Sequence, residues 1–494
     1  MAKQQLDTFN LLGKDLCTSI GFNPTSNSTK PLYVANSLFR TCTGIECKID
    51  DVHEWILSER KVNAVTSGDI LEKYSDIISE SGGNIIDDIK EFRFFLEKLF
   101  NPDSTVWPSR QNSVLNIPSK WLVRSYVNAE AHIGEYLHEL LCADVGGEKS
   151  PAIKVIEESL NTDDDYTRTI KPIIVRETET ERILRKDCSD ETHELTADEI
   201  TIRKGFDLLA NNCSAYGSEH GNNSLLSLRR IVTYAMFAAF YHLTSMNRIY
   251  YSGARVPLLL DAGTKLGSIE VASEQCFVSC KKAVEEYSTN YICSWLKNNE
   301  MITNPDDKKS CLEFISNGMS FDSERENKGV RAIIAQHFES NCQAGDKPLF
   351  AMAKALQFAM YTYLYPNTTP SDFCHYLGIK SGFVGPNGNG YKRLLVNRFF
   401  LETIVMSVIT PEELNKGIEF STLGDKLRES YNIIIGTNTD KDYDSLDRFG
   451  IAKATPENLR GELSINARII ADMLVSMRLA KQYADGVTLI GWRL

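Results

Sequence analysis

The chain has 494 residues, 42% hydrophobic and 24% charged, enough to bury several cores and typical of folded rather than disordered protein. Its formal net charge of −12 excludes a protein whose whole surface wraps nucleic acid, because neutralising phosphates needs clustered Lys and Arg. The acid lies upstream: residues 376–494 hold 15 Lys+Arg against 14 Asp+Glu, whereas residues 1–375 hold 39 against 52.

Residues 1–165 read as a helical N-terminal domain. A polar stretch from Asn23 to Lys30 is followed by helical patterns over Ile85–Phe100 and Leu115–Leu141. From Glu157 to Glu199 the chain is dense in charge and threonine, with Asp163–Asp165 and Glu177–Arg182 flanking one apolar run, Ile170–Val175. This breaks the periodicity and marks an internal boundary or exposed insertion. Residues 166–365 then read as a mainly helical middle domain. Its apolar run Ile231–Met246 follows two arginines and is shorter than the ~20 residues a membrane span needs, which predicts a buried helix and no membrane association. A strand is expected over Val256–Asp261, closed by Ala262-Gly263, then helices over Ile269–Leu296, Val330–Phe338 and Phe350–Tyr365. No solenoid period is visible. Met1–Asp7 lacks the basic-then-apolar order of a signal peptide, and the twelve cysteines are scattered through apolar helical patterns, so the expected compartment is a reducing cytoplasm.

Residues 366–494 carry two successive helix, glycine-turn and strand patterns of the kind that build winged-helix modules. In the first, Ser371–Gly378 is a short helix, Gly382–Val396 carries a hairpin tip, and Asn397–Ile409 is a helix. The second is clearer. Ile465, Ile469, Met473, Leu474 and Met477 recur at helical spacing over Ser464–Lys481, and Asp485-Gly486 turns the chain into the β-branched run Val487–Ile490. The expected fold is therefore mainly α with small β elements (α+β), multidomain, ending in tandem winged-helix-like units.

Candidate sites each have a plainer alternative. The glycine-rich stretch Gly385–Gly390 with Lys392 suits an anion, but a phosphate loop needs Gly-Lys-Ser/Thr opening a helix, and Tyr391–Val396 is strand-like. A wing tip fits better, with Lys392 and Arg393 as backbone contacts to nucleic acid. Asp261 ending a strand, followed by Glu270, has the outline of a Mg²⁺-dependent nuclease core, yet such a core wants a lysine two residues beyond the second acid, where Ala272 stands. A turn Asp261 and a surface Glu270 are the plainer reading. His132, His138 and Cys142 do not share one helix face, and Cys276 and Cys280 have no second dyad, so neither group makes a zinc site. No nucleophile signature is visible, and Arg229-Arg230, Arg176, Arg182 and Arg185 read as salt-bridged faces. Near the chain end, Asn466 and Arg468 fall in the first turns of a candidate recognition helix, with Arg478, Lys481 and Arg493 beyond it. The apolar density of that helix suits a protein interface equally well.

The pattern Ile433–Asn438, Thr455–Arg460, Asn466–Leu474 and Tyr483–Val487 resembles the C-terminal regions of accessory subunits encoded in bacterial multi-gene anti-phage defence systems. The resemblance covers about a quarter of the chain and carries over no catalytic residue. It implies a non-catalytic, cofactor-free subunit that docks an ATPase, a helicase or a nuclease, with DNA as a further candidate contact. The alternatives are a nuclease subunit built on Asp261 and Glu270, and a winged-helix transcription regulator.

Overall fold

The computed structural model describes residues 7–25, 29–45, 66–74, 91, 93–94, 117, 119–123, 126, 128–161, 168, 194–220, 223–249, 255–263, 265–298, 300–322, 325, 329–365, 369–454 and 458–492. Outside them lie Asp163–Asp165, the run Ile170–Val175, Arg176, Glu177–Arg185, most of Ile85–Phe100, Cys47, Cys188, Thr455 and Arg493.

The protein is mainly helical with small sheets, as expected. In chain order the helices begin with α1 (Thr8–Ile20), α2 (Pro31–Thr43), α3 (Ser67–Tyr74), α4 (Ile133–Cys142), α5 (Pro151–Leu160), α6 (Ala197–His220) and α7 (Ser224–Ser245). Strand β1 (Leu258–Leu259) precedes α8 (Gly267–Asn298), α9 (Lys308–Glu313), α10 (Val330–Gln343), α11 (Pro348–Tyr363) and α12 (Pro370–Ser381). Next come β2 (Val384–Gly385), β3 (Arg393–Leu394), α13 (Arg398–Met406), α14 (Pro411–Lys416), β4 (Ile418–Glu419) and α15 (Phe420–Tyr431). The chain closes with β5 (Ile433–Ile434), α16 (Thr439–Arg448), α17 (Leu459–Ser476), β6 (Ala480–Gln482) and β7 (Thr488–Ile490). Local chemistry sets several boundaries. Ser150 caps the N-terminus of α5, Thr369 and Asp372 form a capping box on α12 behind Pro370, and Gly21, Gly44 and Gly382 end their helices in the left-handed region.

The chain divides into two units, each assembled from non-contiguous segments: one from Met1–Thr29, Phe237–Phe400 and Gly417–Leu494, the other from Lys30–Met236 and Leu401–Lys416. They therefore do not follow the consecutive stretches 1–165, 166–365 and 366–494. The run Ile231–Met246 lies within α7 and the short helical turn after it, almost entirely buried, and among the described residues no helix is long and apolar enough to cross a membrane.

In the second unit, α2 and α4 pack so closely that a Cβ on Gly134 would fall 2.2 Å from the Ser37 carbonyl carbon. Buried Arg40 crosses this contact to Glu130 at 2.7 Å and Glu135 at 3.0 Å, and Asn36 donates to Glu130 at 2.7 Å. The buried Asn212 of α6 donates to the carbonyls of Met406 and Ile409 at 2.8 and 2.7 Å, capping the end of α13. Arg230 pairs with Glu402, in line with the salt-bridged reading of this pair of arginines.

In the first unit α8 is the central element. Ile269, Ala272, Cys276, Phe277, Cys280, Val284, Tyr287 and Leu296 are all buried, at the three- and four-residue spacing of a helix enclosed on more than one side. Cys276 and Cys280 are core thiols, and burial pushes Cys276 up to about 12, where it is inert at neutral pH. An aromatic cluster of Phe237, Phe240, Phe383, Phe400 and Tyr431, with ring centroids 5.0–5.8 Å apart, fills the space under α7.

At the start of this unit, Asp7 caps α1 by accepting from Phe9 and Asn10, accepts from the Asp322 amide, and pairs with Arg325 at 2.6 Å. Burial pushes its carboxyl upward, but these donors and the guanidinium outweigh burial and hold it below the ordinary 3.8. A lowered folded value means stability that is present above pH 3.8 and lost as pH falls through the folded value. Acid titration of unfolding should thus be less steep below pH 4 for Asp7→Asn than for the parent; identical profiles would show that Asp7 carries no such linkage.

Candidate functional site

Of the strand expected over Val256–Asp261 only Leu258–Leu259 forms, as β1, and its position follows from what it pairs with. Leu258 and Leu259 run parallel to Ile433 and Ile434, and Leu260 donates to the Ile434 carbonyl at 3.0 Å. At Asp261 the chain changes partner. Its amide donates to Leu394 at 3.0 Å and its carbonyl accepts from Val396 at 2.9 Å, so Asp261 joins β1 to the β2–β3 hairpin. Ser273 of α8 seals the junction by bonding both the amide and the carbonyl of Leu394, at 2.9 and 2.8 Å.

Asp261 is 0% exposed. One carboxylate oxygen accepts from Arg393 Nε at 2.7 Å, and the other accepts from the Gly263 amide at 2.8 Å. Arg393 Nη2 reaches on to Glu270 at 2.6 Å. The structure thus does bring Asp261 and Glu270 together, but around a guanidinium. Arg393, expected on a wing tip facing nucleic acid, is instead the cation that compensates a buried carboxylate, which would otherwise cost several kcal/mol. Glu270, with its side chain 35% exposed, is the member of the pair that solvent can reach. Among the described residues no group of three or more His, Cys, Asp or Glu could hold a metal ion. Lys392 also turns back, donating to the carbonyls of Pro386 and Gly388 and closing the glycine-rich loop on itself, while Tyr391 beside it is exposed.

Asn466 differs most from the sequence reading. It is 0% exposed. Its Nδ2 donates to the carbonyls of Leu260 at 2.9 Å and Ile435 at 3.3 Å, and its Oδ1 accepts from the Ala262 amide at 2.9 Å. One side chain satisfies backbone groups at the ends of both parallel strands, so this amide is unavailable to a base edge. Glu462, one turn earlier on α17, accepts from Ser268 and Ile269 at 2.8 and 3.2 Å and caps α8 from 194 and 193 residues away. Close approach is possible because Gly436 has φ +94° and a Cβ there would lie 2.0 Å from the Leu463 carbonyl oxygen. A lone Asn within the apolar stripe Leu463, Ile470, Leu474 was the available signal, since buried amides are almost always paired.

Arg468, Arg478 and Lys481 are exposed. Helix α17 ends at Ser476, short of the expected Lys481, because Arg478 takes φ +61° and redirects the chain into β6. The β6–β7 hairpin turns at Asp485, whose side chain accepts from Val487, and β4 adds to β7 to make a sheet of order β4-β7-β6. In the other sequence candidate, His138 lies 3.3 Å from Cys142 while His132 stacks on Tyr126, so the three do not converge. Cys142 is disulfide-bonded, which differs from the reducing compartment expected from the scattered cysteines.

Asn466→Ala would leave three backbone groups without a partner, at about 1–3 kcal/mol for each buried one, so a loss of about 3 kcal/mol or more is expected in chemical denaturation of the full chain. Arg468→Ala, on the outer side of the same helix, should change stability by less than about 0.5 kcal/mol. Equal effects of the two substitutions would contradict the assignment of Asn466 as an internal staple. Comparison with protein-family models, with curated proteins and with solved structures found no match for this chain.

Proposed function

We propose that this chain is a non-catalytic subunit that docks onto partner proteins of a bacterial anti-phage defence assembly through a winged-helix-like C-terminal module. The observation that carries the reading is the outer side of α17 and its hairpin, where Ile465, Val475, Tyr483 and Val487 are exposed alongside Arg468, Arg478 and Lys481. Apolar and aromatic side chains held in water beside arginines have the composition of protein–protein contact surfaces. The sheet order β4-β7-β6, with α15 after the first strand and α17 before the hairpin, supports the winged-helix comparison. Arg478 adds to it as an exposed arginine standing where glycine would be least strained.

Protein is favoured over DNA as the main partner. A recognition helix meets bases with its N-terminal turns, and here Glu462 and Asn466 turn those side chains inward to α8 and β1. DNA contact would then fall to Arg468, Arg478 and Lys481, which can add affinity and salt dependence without base choice. The nuclease alternative has less support, since both of its acids hold Arg393.

The test is affinity purification of the tagged full chain from its host, with and without nuclease treatment, followed by mass spectrometry. An ATPase, helicase or nuclease should co-purify in fixed ratio after nuclease treatment. Ile465→Asp combined with Val475→Asp should reduce its recovery at least about tenfold, the scale expected from losing interface anchors, with an unchanged melting midpoint. Recovery of nucleic acid alone, removed by nuclease, would replace this reading with a DNA-binding regulator.

A further inference from the structure

Asparagine followed by glycine occurs at three places in the chain, Asn317-Gly318, Asn387-Gly388 and Asn389-Gly390, and all three asparagines are exposed. The dipeptide has a chemistry of its own. The glycine nitrogen can attack the asparagine side-chain carbon Cγ, because no Cβ crowds its approach and the glycine backbone turns freely. A bond forms from that nitrogen to Cγ, the Cγ–Nδ2 bond breaks, and ammonia leaves carrying the backbone amide proton. Water then opens the resulting cyclic imide at either carbonyl, leaving aspartate or isoaspartate. The net change takes up a water and releases an ammonia, with no oxidant and no cofactor. It needs a backbone able to fold the nitrogen onto Cγ and an amide not already committed to a hydrogen bond. The surroundings therefore decide which of three identical dipeptides reacts.

Asn317 lies in the π-helical turn Phe314–Gly318, closed by the Met319 amide on the Phe314 carbonyl at 3.2 Å, and a Cβ on Gly318 would fall 2.3 Å from the Phe314 ring. Helical backbone commits its amides to carbonyls of the preceding turn, which holds this step out of reach. Asn387 and Asn389 lie instead in the irregular loop between β2 and β3. There neither the Gly388 nor the Gly390 amide donates a hydrogen bond among the described residues, and a Cβ on Gly388 would meet nothing within 4 Å. Lys392 separates these two steps. Its Nζ donates to the carbonyls of Pro386 and Gly388, so the peptides before Asn387 and after Gly388 are both pinned. Asn389-Gly390 is pinned on its near side alone. Gly390 takes φ +131°, open to glycine, and runs into Tyr391, which is 79% exposed.

We propose that Asn389 is a site of spontaneous deamidation, with Asn387 slower behind the Lys392 latch and Asn317 protected by its helical turn. The product is a carboxylate at the loop tip, which makes the chain one charge more negative than −12. It stands in the same loop as the Lys392 ammonium and competes with the loop carbonyls for it, since a charged acceptor is the stronger one. The site belongs to the β2–β3 hairpin and does not depend on the docking proposal.

The experiment holds the full chain in mildly alkaline buffer, folded and separately in urea, and follows the three asparagines by peptide mass spectrometry, with an isoaspartate-specific methyltransferase as a second readout. In urea the three steps should react at similar rates, because the dipeptide is the same. In the folded chain Asn389 should react at least about tenfold faster than Asn317, with Asn387 between them. Lys392→Met, with a melting midpoint confirming that it folds, should raise the rate at Asn387 at least about threefold. Asn389→Gln should remove the fastest product. The proposal is overturned if Asn389 stays intact in the folded chain, if Asn317 keeps pace with it there, or if Lys392→Met leaves Asn387 no faster than in the parent.

Discussion

The first unit is organised around one buried carboxylate. Asp261 stands where a strand leaves one partner, β5, and takes another, β3, and at such a point backbone groups on both sides need satisfying at once. Asn466 answers for the groups on one side and Ser273 for those on the other, while Arg393 balances the charge and passes the tie to Glu270 on α8. Elements from residues 258 to 466 thus meet within a few hydrogen bonds. Water is excluded from Asp261, so losing any member leaves a polar group with no substitute partner.

This constraint also shapes what α17 can do. Its inner side is fixed by Leu463, Asn466, Ile470 and Leu474, and its first turn serves α8 through Glu462. In the proposed docking role, what remains for a partner is the outer side and the hairpin, where Ile465, Val475, Tyr483 and Val487 are exposed beside Arg468, Arg478 and Lys481. A side chain that supports an internal junction cannot also read a base, and this division of one helix into a structural side and an outward side favours docking over sequence recognition.

Much of the architecture was legible because it is local. The 3.6-residue periodicity of α8 and α17, the buried run Ile231–Met246, the short strand β1 ahead of Asp261 and the turn at Asp485-Gly486 are written in neighbouring residues. What was not legible is long-range. Nothing near Leu258 announces Ile433 as its parallel partner, and Arg393 looks like a loop cation until the chain brings it 2.7 Å from Asp261. Non-local pairing also explains why the compact units interleave along the chain. Asp261 and Glu270 do converge, but on an arginine, and Glu270 lies in the first turn of α8 rather than on a second strand.

Electrostatics therefore decides between a structural and a chemical role for this centre, and the interaction energy between Asp261 and Arg393 is the quantity to measure. A double-mutant cycle of Asp261→Asn and Arg393→Met, followed by chemical denaturation of the full chain, isolates it. The account predicts that each single substitution is strongly destabilising, by about 3 kcal/mol, and that the double variant recovers much of the loss, because removing both charges leaves no uncompensated ion. Additive effects, with no coupling beyond about 0.5 kcal/mol, would contradict the view that this pair holds the unit together.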